Sequence, residues 1–363
     1  MKKQIIALAA FAMAFAGATS AKAVEINYLG WYDETIAKVI EQYEAATGNT
    51  VNYKNFDSND QAFNIVRAAP GDWDLVAGDG YWPRRYYEQG LTQEFDPTKV
   101  GSWNELYPAF RDFASKNWAG KSAGKIIAFP GTWGIYQATV LTDKLPQRMT
   151  SWQDLWKPEL KGRVMLTASG NENIALSALA SGTSLNKVYH LGEGELGPIV
   201  DKLIQLKPNV RKVYLNVDEI ASLMKQQDAW VAITWSSAIA NMLNMQNISA
   251  EAYVPGGKSV GWVNCIMLSA ESKHKEAALE LLQWIYSADM RRVRWDNLSP
   301  ADHVSETNQK FVESLVAAGG NDALTVKRMD MQTPPDFSNM AIQEAPEFLS
   351  AYVDGWNKWL AAQ

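Results

Sequence analysis

The chain has 363 residues, of which 47% are hydrophobic and 20% charged, with a formal net charge of −6. That ordinary globular mixture excludes a disordered tail protein, a collagen-like fibre and a multi-span membrane protein. Without residues 1–23, which carry Lys2, Lys3 and Lys22 and no acid, the formal charge becomes −9; so acidic a product lacks the basic face that a phosphate backbone requires, and no nucleic-acid partner is expected.

In chain order, residues 1–23 read as a cleavable secretory leader. Lys2 and Lys3 precede the apolar run Ile5 to Ala16, and Ala21-Lys22-Ala23 supplies small residues around the cleavage point. The run is too short for a stable membrane span. Cys265 is the only cysteine, so neither an intrachain disulfide nor a lipid-bearing cysteine at the cleavage site is expected. The product is expected in a Gram-negative periplasm, without an anchor, as a monomer.

The next segment predicts a βαβ unit: a strand Ile26 to Leu29, a helix from about Asp33 to Thr47, and a strand Val51 to Tyr53. Asp33 and Glu34 suit the positive end of that helix, and Gly48 follows its last turn. A second unit has a helix Ser58 to Ala68, a strand Asp74 to Ala77 and a helix after Gly80 through Tyr87. Strands are expected at Ile126 to Phe129, Gly134 to Leu141, Arg163 to Leu166, Lys212 to Leu215, Val231 to Thr234 and Val263 to Leu268. Helices are expected at Glu172 to Ser181, Pro198 to Leu206, Val217 to Gln226, Lys275 to Tyr286, Leu324 to Met331 and Ala345 to Leu360, with a helical turn at Trp152 to Trp156. This rhythm on a chain too long for one core predicts an α/β protein of two lobes, each a mostly parallel sheet flanked by helices. The first lobe would take 24–134 plus about 256–300, the second 135–255, and 301–363 would form a helical cap. Strands, not a loose tether, would join the lobes.

Catalytic signatures are scarce. There is no His-Glu-x-x-His pair and no glycine-rich phosphate loop, and none of His190, His274 and His303 adjoins a nucleophile. Three scattered histidines give no metal-ligand pair and read as solvated surface residues. No enzyme, metal or cofactor is expected. The unusual feature is aromatic: 15 Trp and 14 Tyr, many at strand ends, where an α/β fold keeps its ligand crevice. Trp31-Tyr32 follows the first strand, Tyr81-Trp82 follows the strand ending near Gly78, Trp133 follows Pro130, Trp235 ends Val231 to Thr234, and Trp262 opens the strand before Cys265. Aromatic faces attract cations through their quadrupole, and a desolvated cation also needs counter-charge. Asp33, Asp79 and Glu172 lie beside those segments, and each also reads as a helix-start carboxylate.

Several ordered motifs carry a resemblance. They are Asn27 to Asp33 (NYLGWYD), Thr47-Gly48, Trp73 to Val76 (WDLV) with Gly90-Leu91 and Phe95-Asp96, and the long run Thr150 to Thr167 (TSWQDLWKPELKGRVMLT). The chain resembles the solute-binding proteins of polyamine-type ABC importers, the spermidine and putrescine receptors, over nearly its whole mature length. The resemblance implies a type II periplasmic binding protein fold, with hinge strands between lobes that close over an amine and an inner-membrane ABC permease as partner. It places Trp31, Asp33, Tyr81, Glu172, Trp235 and Trp262 at ligand-contacting positions. Two positions depart from the pattern: Ser169 and Asn264 stand where spermidine receptors have acids, and Asp79 stands where the family commonly has serine. The expected ligand is a polyamine or related small cationic amine. A mono-amine, betaine-like or opine-like solute, or a sensor role beside a membrane signalling protein, is the alternative.

Overall fold

The computed structural model describes residues 23–32, 34–300 and 302–362. All but the last residue of the expected leader therefore lies outside the described residues, and so does Asp33. The chain opens as β1 (Glu25–Gly30), α1 (Ala37–Thr47), β2 (Thr50–Asn55), α2 (Asn59–Ala68), β3 (Leu75–Asp79), α3 (Trp82–Glu88), β4 (Thr92–Gln93), α4 (Pro108–Asn117) and β5 (Phe129–Ile135). It crosses to a second lobe as β6 (Gln137–Leu141), β7 (Val164–Thr167), α5 (Gly170–Ala180), α6 (Glu193–Gln205), β8 (Val210–Tyr214), α7 (Val217–Lys225), β9 (Val231–Thr234), α8 (Ala238–Met245) and β10 (Ala250–Tyr253). It returns through β11 (Ser259–Ser269), α9 (Lys275–Tyr286), α10 (Ala288–Asn297), β12 (Ser305–Glu306), α11 (Gln309–Ala318), α12 (Gly320–Arg328) and β13 (Met340–Ile342), and ends in α13 (Leu349–Ala361).

The first sheet runs β12-β5-β11-β3-β1-β2, with β4 and β13 also on β11; the second runs β10-β6-β9-β7-β8. Both are mixed rather than mostly parallel. β1 lies parallel to β2 and β3, and β7 parallel to β8 and β9, as βαβ crossovers require. The strands next to the crossings arrive antiparallel: β11 against β3 and β5, and β6 against β9 and β10. The expected cap divides between the lobes instead: within residues 302–362, β12 and β13 join the first sheet, and α13 packs on α5 and α6.

Local chemistry explains where element boundaries differ from expectation. α1 starts at Ala37 with Ile36 as its cap and has no acid in its first turn. Glu34 instead sits in a tight turn, its N–H donating to Trp31 O at 3.1 Å, with its side chain 1% exposed. α6 begins five residues before Pro198, because the Glu195 carboxylate accepts the Gly192 N–H at the helix start and buried Leu196, Ile199, Val200 and Leu203 continue one apolar face past the proline. The run expected as one strand from Gly134 to Leu141 is two strands in different sheets, parted at Tyr136. His303 is buried, not solvated: its ring stacks on Trp295 at 3.6 Å, and burial pushes it down to about 4.

Two of the crossings are bonded to each other. Tyr136 N–H donates to Val260 O at 2.8 Å and Ser259 Oγ to Tyr136 O at 2.6 Å, so the lobes are joined by a short ribbon. The third crossing is anchored at Gln343, whose N–H donates to Gly261 O at 2.7 Å and whose carbonyl accepts the Tyr81 N–H at 3.3 Å. Gly80 makes that anchorage possible. Its φ is 55°, and a Cβ there would lie 1.8 Å from Gln343 O. Gly80→Ala is expected to cost about 2 to 4 kcal/mol, combining left-handed backbone strain with a displaced segment. Thermal unfolding of the variant measures it, and an unchanged melting temperature would show that the Gln343 segment yields freely.

Candidate ligand-binding cleft

Two adjoining cavities open between the lobes. The larger, about 350 Å³, takes Trp31 and Tyr32 from the turn after β1, Asp79 from the end of β3 and Asn264 from β11. The second lobe adds Thr167 from the end of β7 and Trp235 just past β9, and the crossing segments add Tyr136 and Trp262. Asp57, Val304 and Gln343 complete its wall. The smaller, about 240 Å³, shares Trp31, Asp57, Asp79 and Gln343 and continues to Asp60, Trp82, Ser169, Asn171, Glu172 and Glu344. Strand ends supply most of these groups, as expected for an α/β crevice.

Two carboxylates face each other from opposite lobes. Asp79 is 7% exposed, and its Oδ1 accepts from Asn59 Nδ2 at 3.0 Å; burial pushes its carboxyl up to about 6. It does not cap α3, whose first residue follows Tyr81 with no side-chain cap. Glu172 is 2% exposed, on the first turn of α5. Its Oε1 accepts from Gln343 Nε2 at 2.7 Å and from the Tyr189 hydroxyl at 3.4 Å, and its Oε2 from Ser169 Oγ. Burial first, and then the charge of Asp79, push the Glu172 carboxyl up to about 7. Among the described residues, no lysine, arginine or histidine lines either cavity. Desolvation thus raises both carboxyls, the charge of Asp79 adds to it at Glu172, and an entering cation relieves that cost.

Of the residues singled out in the sequence, the structure brings Trp31, Tyr32, Asp79, Trp235, Trp262 and Asn264 to the larger cavity and Trp82, Ser169 and Glu172 to the smaller. Trp31 is braced by Phe56 at 4.2 Å, and Tyr32 is 62% exposed at the mouth. Asn264 Nδ2 donates to Thr132 Oγ1 at 3.2 Å. Two aromatics lie elsewhere. Tyr81 lines a surface hollow with Arg84, Arg85 and Glu88. Trp133 packs against Phe110 and, with Ile135 and Gln137, faces a cavity on the other side of the crossing strand from Tyr136. Strand alternation explains this, since odd positions from 133 to 137 look one way and Tyr136 the other. Sequence reasoning missed Tyr136, Thr167, Gln343 and Glu344. The Gly-x-Ser-x-Gly run at Gly120 to Gly124 is an exposed turn in which Ser122 N–H donates to Glu94, not a strand-to-helix elbow.

Among the described residues, no group of three or more His, Cys, Asp or Glu could hold a metal ion, and no helix is long and apolar enough to cross a membrane. A preformed cleft between two lobes joined by short crossings is the architecture of a protein that captures a small solute. The chain belongs to the bacterial extracellular solute-binding protein family, which it matches over residues 38–315. It is 24% identical over 294 residues to the spermidine/putrescine-binding periplasmic protein of Salmonella typhimurium, covering 80% of each chain. The likeness to the putrescine-binding periplasmic protein PotF of Escherichia coli is 22% over 292 residues, covering 76% of each. In solved structures, the fold matches the spermidine/putrescine ABC transporter substrate-binding protein PotD of Streptococcus pneumoniae with a TM-score of 0.69 at 19% identity, covering 93% of this chain and 99% of that one.

Proposed function

We propose that the protein is the periplasmic receptor of an ABC importer, which captures a small cationic amine of the polyamine kind between its lobes and delivers it to a membrane permease. The observation that carries this reading is the cleft itself: tryptophan and tyrosine faces with, among the described residues, two buried carboxylates and no basic residue in the lining. Aromatic faces and unneutralised carboxylates both favour a desolvated cation. The same lining disfavours betaine-like or opine-like solutes, whose carboxylate would meet acids and find no counter-charge. The names of the Salmonella and Escherichia relatives support the amine reading. On this reading the protein works as a monomer and leaves its ligand chemically unchanged.

A thermal-shift screen of the protein without residues 1–23, against putrescine, spermidine, betaine, amino acids and opines, tests it. Only ligands that bind the folded state raise the melting temperature; at a hundredfold excess over Kd the stabilisation is about 2.7 kcal/mol. Shifts with amines alone are expected, and a shift only with carboxylate-bearing solutes would overturn the assignment.

A further inference from the structure

The smaller cavity carries more acid groups than one ammonium would balance. Asp79 and Glu172 are buried in its wall, and the wall continues to Glu344, which reaches the cleft from the segment after β13. Asp57 and Asp60 border the same cavity but are exposed to solvent. Glu344 also lines the surface hollow beside Tyr81, so it stands in the partition between that hollow and the cleft.

The partners of Glu344 leave it free to take a ligand. Its side chain is 25% exposed, and its Oε1 lies 3.1 Å from His190 Nε2. The other nitrogen of that ring, Nδ1, lies 3.2 Å from Oε2 of Glu347, whose side chain is 57% exposed. A neutral imidazole donates from one nitrogen only, so the ring serves both carboxylates at once only as the imidazolium. Among the described residues, the second oxygen of Glu344 has no hydrogen-bond or ion-pair partner. Burial pushes the Glu344 carboxyl up, and His190 pulls it back. Tyr189 ties this acid to the rest of the cleft. Its hydroxyl donates to Glu172 Oε1 at 3.4 Å, and burial first, then the charge of Glu172 and, less strongly, that of Glu344, hold the phenol well above its ordinary range. Two carboxylates thus act on one buried hydroxyl, and a cation placed between them stabilises both.

Resting on the amine reading above, we propose that Glu344 is a third ligand-facing carboxylate, which with Glu172 receives the second ammonium of a diamine whose first ammonium lies by Asp79 at the junction of the cavities. Glu344 then sets the preference for two charges over one. His190 is its partner in the empty cleft. Glu347, on the other side of the ring, lines neither cavity and has no part in the preference.

Calorimetric titration of the parent protein, Glu344→Gln and Glu347→Gln, with putrescine directly and with butylamine by competition, tests this. The two ligands share one carbon chain and differ by an ammonium. The parent is expected to favour putrescine. Glu344→Gln is expected to bind putrescine about tenfold more weakly, the worth of one charge-assisted hydrogen bond, and to change butylamine by less than about twofold. Glu347→Gln also removes a carboxylate from His190, but from an exposed pair, and should leave both ligands within about twofold of the parent. An equal loss for both ligands in Glu344→Gln would reduce the residue to a structural role and overturn the proposal. So would putrescine binding within about twofold of the parent in Glu344→Gln, or a loss as large in Glu347→Gln. Each of these leaves the amine reading intact, whereas failure of both amines to bind the parent would overturn both.

Discussion

Replacing Glu172 by glutamine or Asp79 by asparagine is expected to weaken capture of an amine by about 2 to 5 kcal/mol, because an ammonium brought into the cleft would lose a buried counter-charge. The same substitutions are expected to stabilise the empty protein at pH 8. Each carboxylate is more than nine-tenths buried and is raised to about 6 or about 7, so holding it ionised in the unliganded fold costs on the order of 3 kcal/mol. Part of that gain is offset where an amide must face a donor: Gln343 Nε2 and Ser169 Oγ both donate to Glu172. Titration calorimetry and thermal unfolding read the two effects on one sample. A variant that loses less than about tenfold in affinity and also melts no higher would reduce these acids to structural residues.

Capture is also expected to weaken by on the order of a hundredfold between pH 8 and pH 5.5. The carboxyls titrate at about 6 and about 7 in the empty cleft, above their unfolded values. Their contribution to folding stability is therefore full below about pH 4 and is lost as the pH rises through 6 to 7. A bound ammonium reverses the preference, pulling both groups towards the ionised form, so binding expels protons and strengthens as the pH rises. The amine keeps its own proton throughout this range, since its ordinary pKa lies near 10. Calorimetry at pH 6.5 in buffers of different ionisation enthalpy should register that proton release. An affinity flat from pH 8 to pH 5.5 would mean that the ligand makes no close contact with either carboxylate.

Much of the frame was legible because it rests on local rules. The two strands of the first βαβ unit, the Gly48 stop and the helix from Lys275 to Tyr286 follow from periodicity and end signals, and they stand where expected, although α1 starts at Ala37. Pro198 misled because the Glu195 contact with the Gly192 N–H and a continuous apolar face extend the helix ahead of it. The rule that strand-end aromatics face the crevice holds for Trp31, Trp235 and Trp262 and fails for Trp133. It locates the end of a strand but not which way a side chain points, and that depends on a two-residue alternation fixed only once the register is known. Tyr136 was hidden for a related reason: it lies in the break between β5 and β6, where the sequence reads as one uninterrupted strand. Gln343 and Glu344 come from an irregular stretch far along the chain, brought to the cleft by pairing of β13 with β11. No local pattern announces such a return.

The ribbon that joins the lobes passes through Tyr136, so the backbone that serves as the pivot also carries part of the cavity wall. Atoms near an axis of rotation travel least. On hinge closure about that ribbon, the Tyr136 ring and the neighbouring Trp262 are expected to move least, whereas Glu172, on α5 of the far lobe, is expected to swing through a longer arc. A solute can therefore dock first on a surface already in place, before the far lobe encloses it. Association then has two stages, a collision followed by a first-order closure. In rapid-mixing experiments, the observed rate should rise with ligand concentration and then level off at the closure rate.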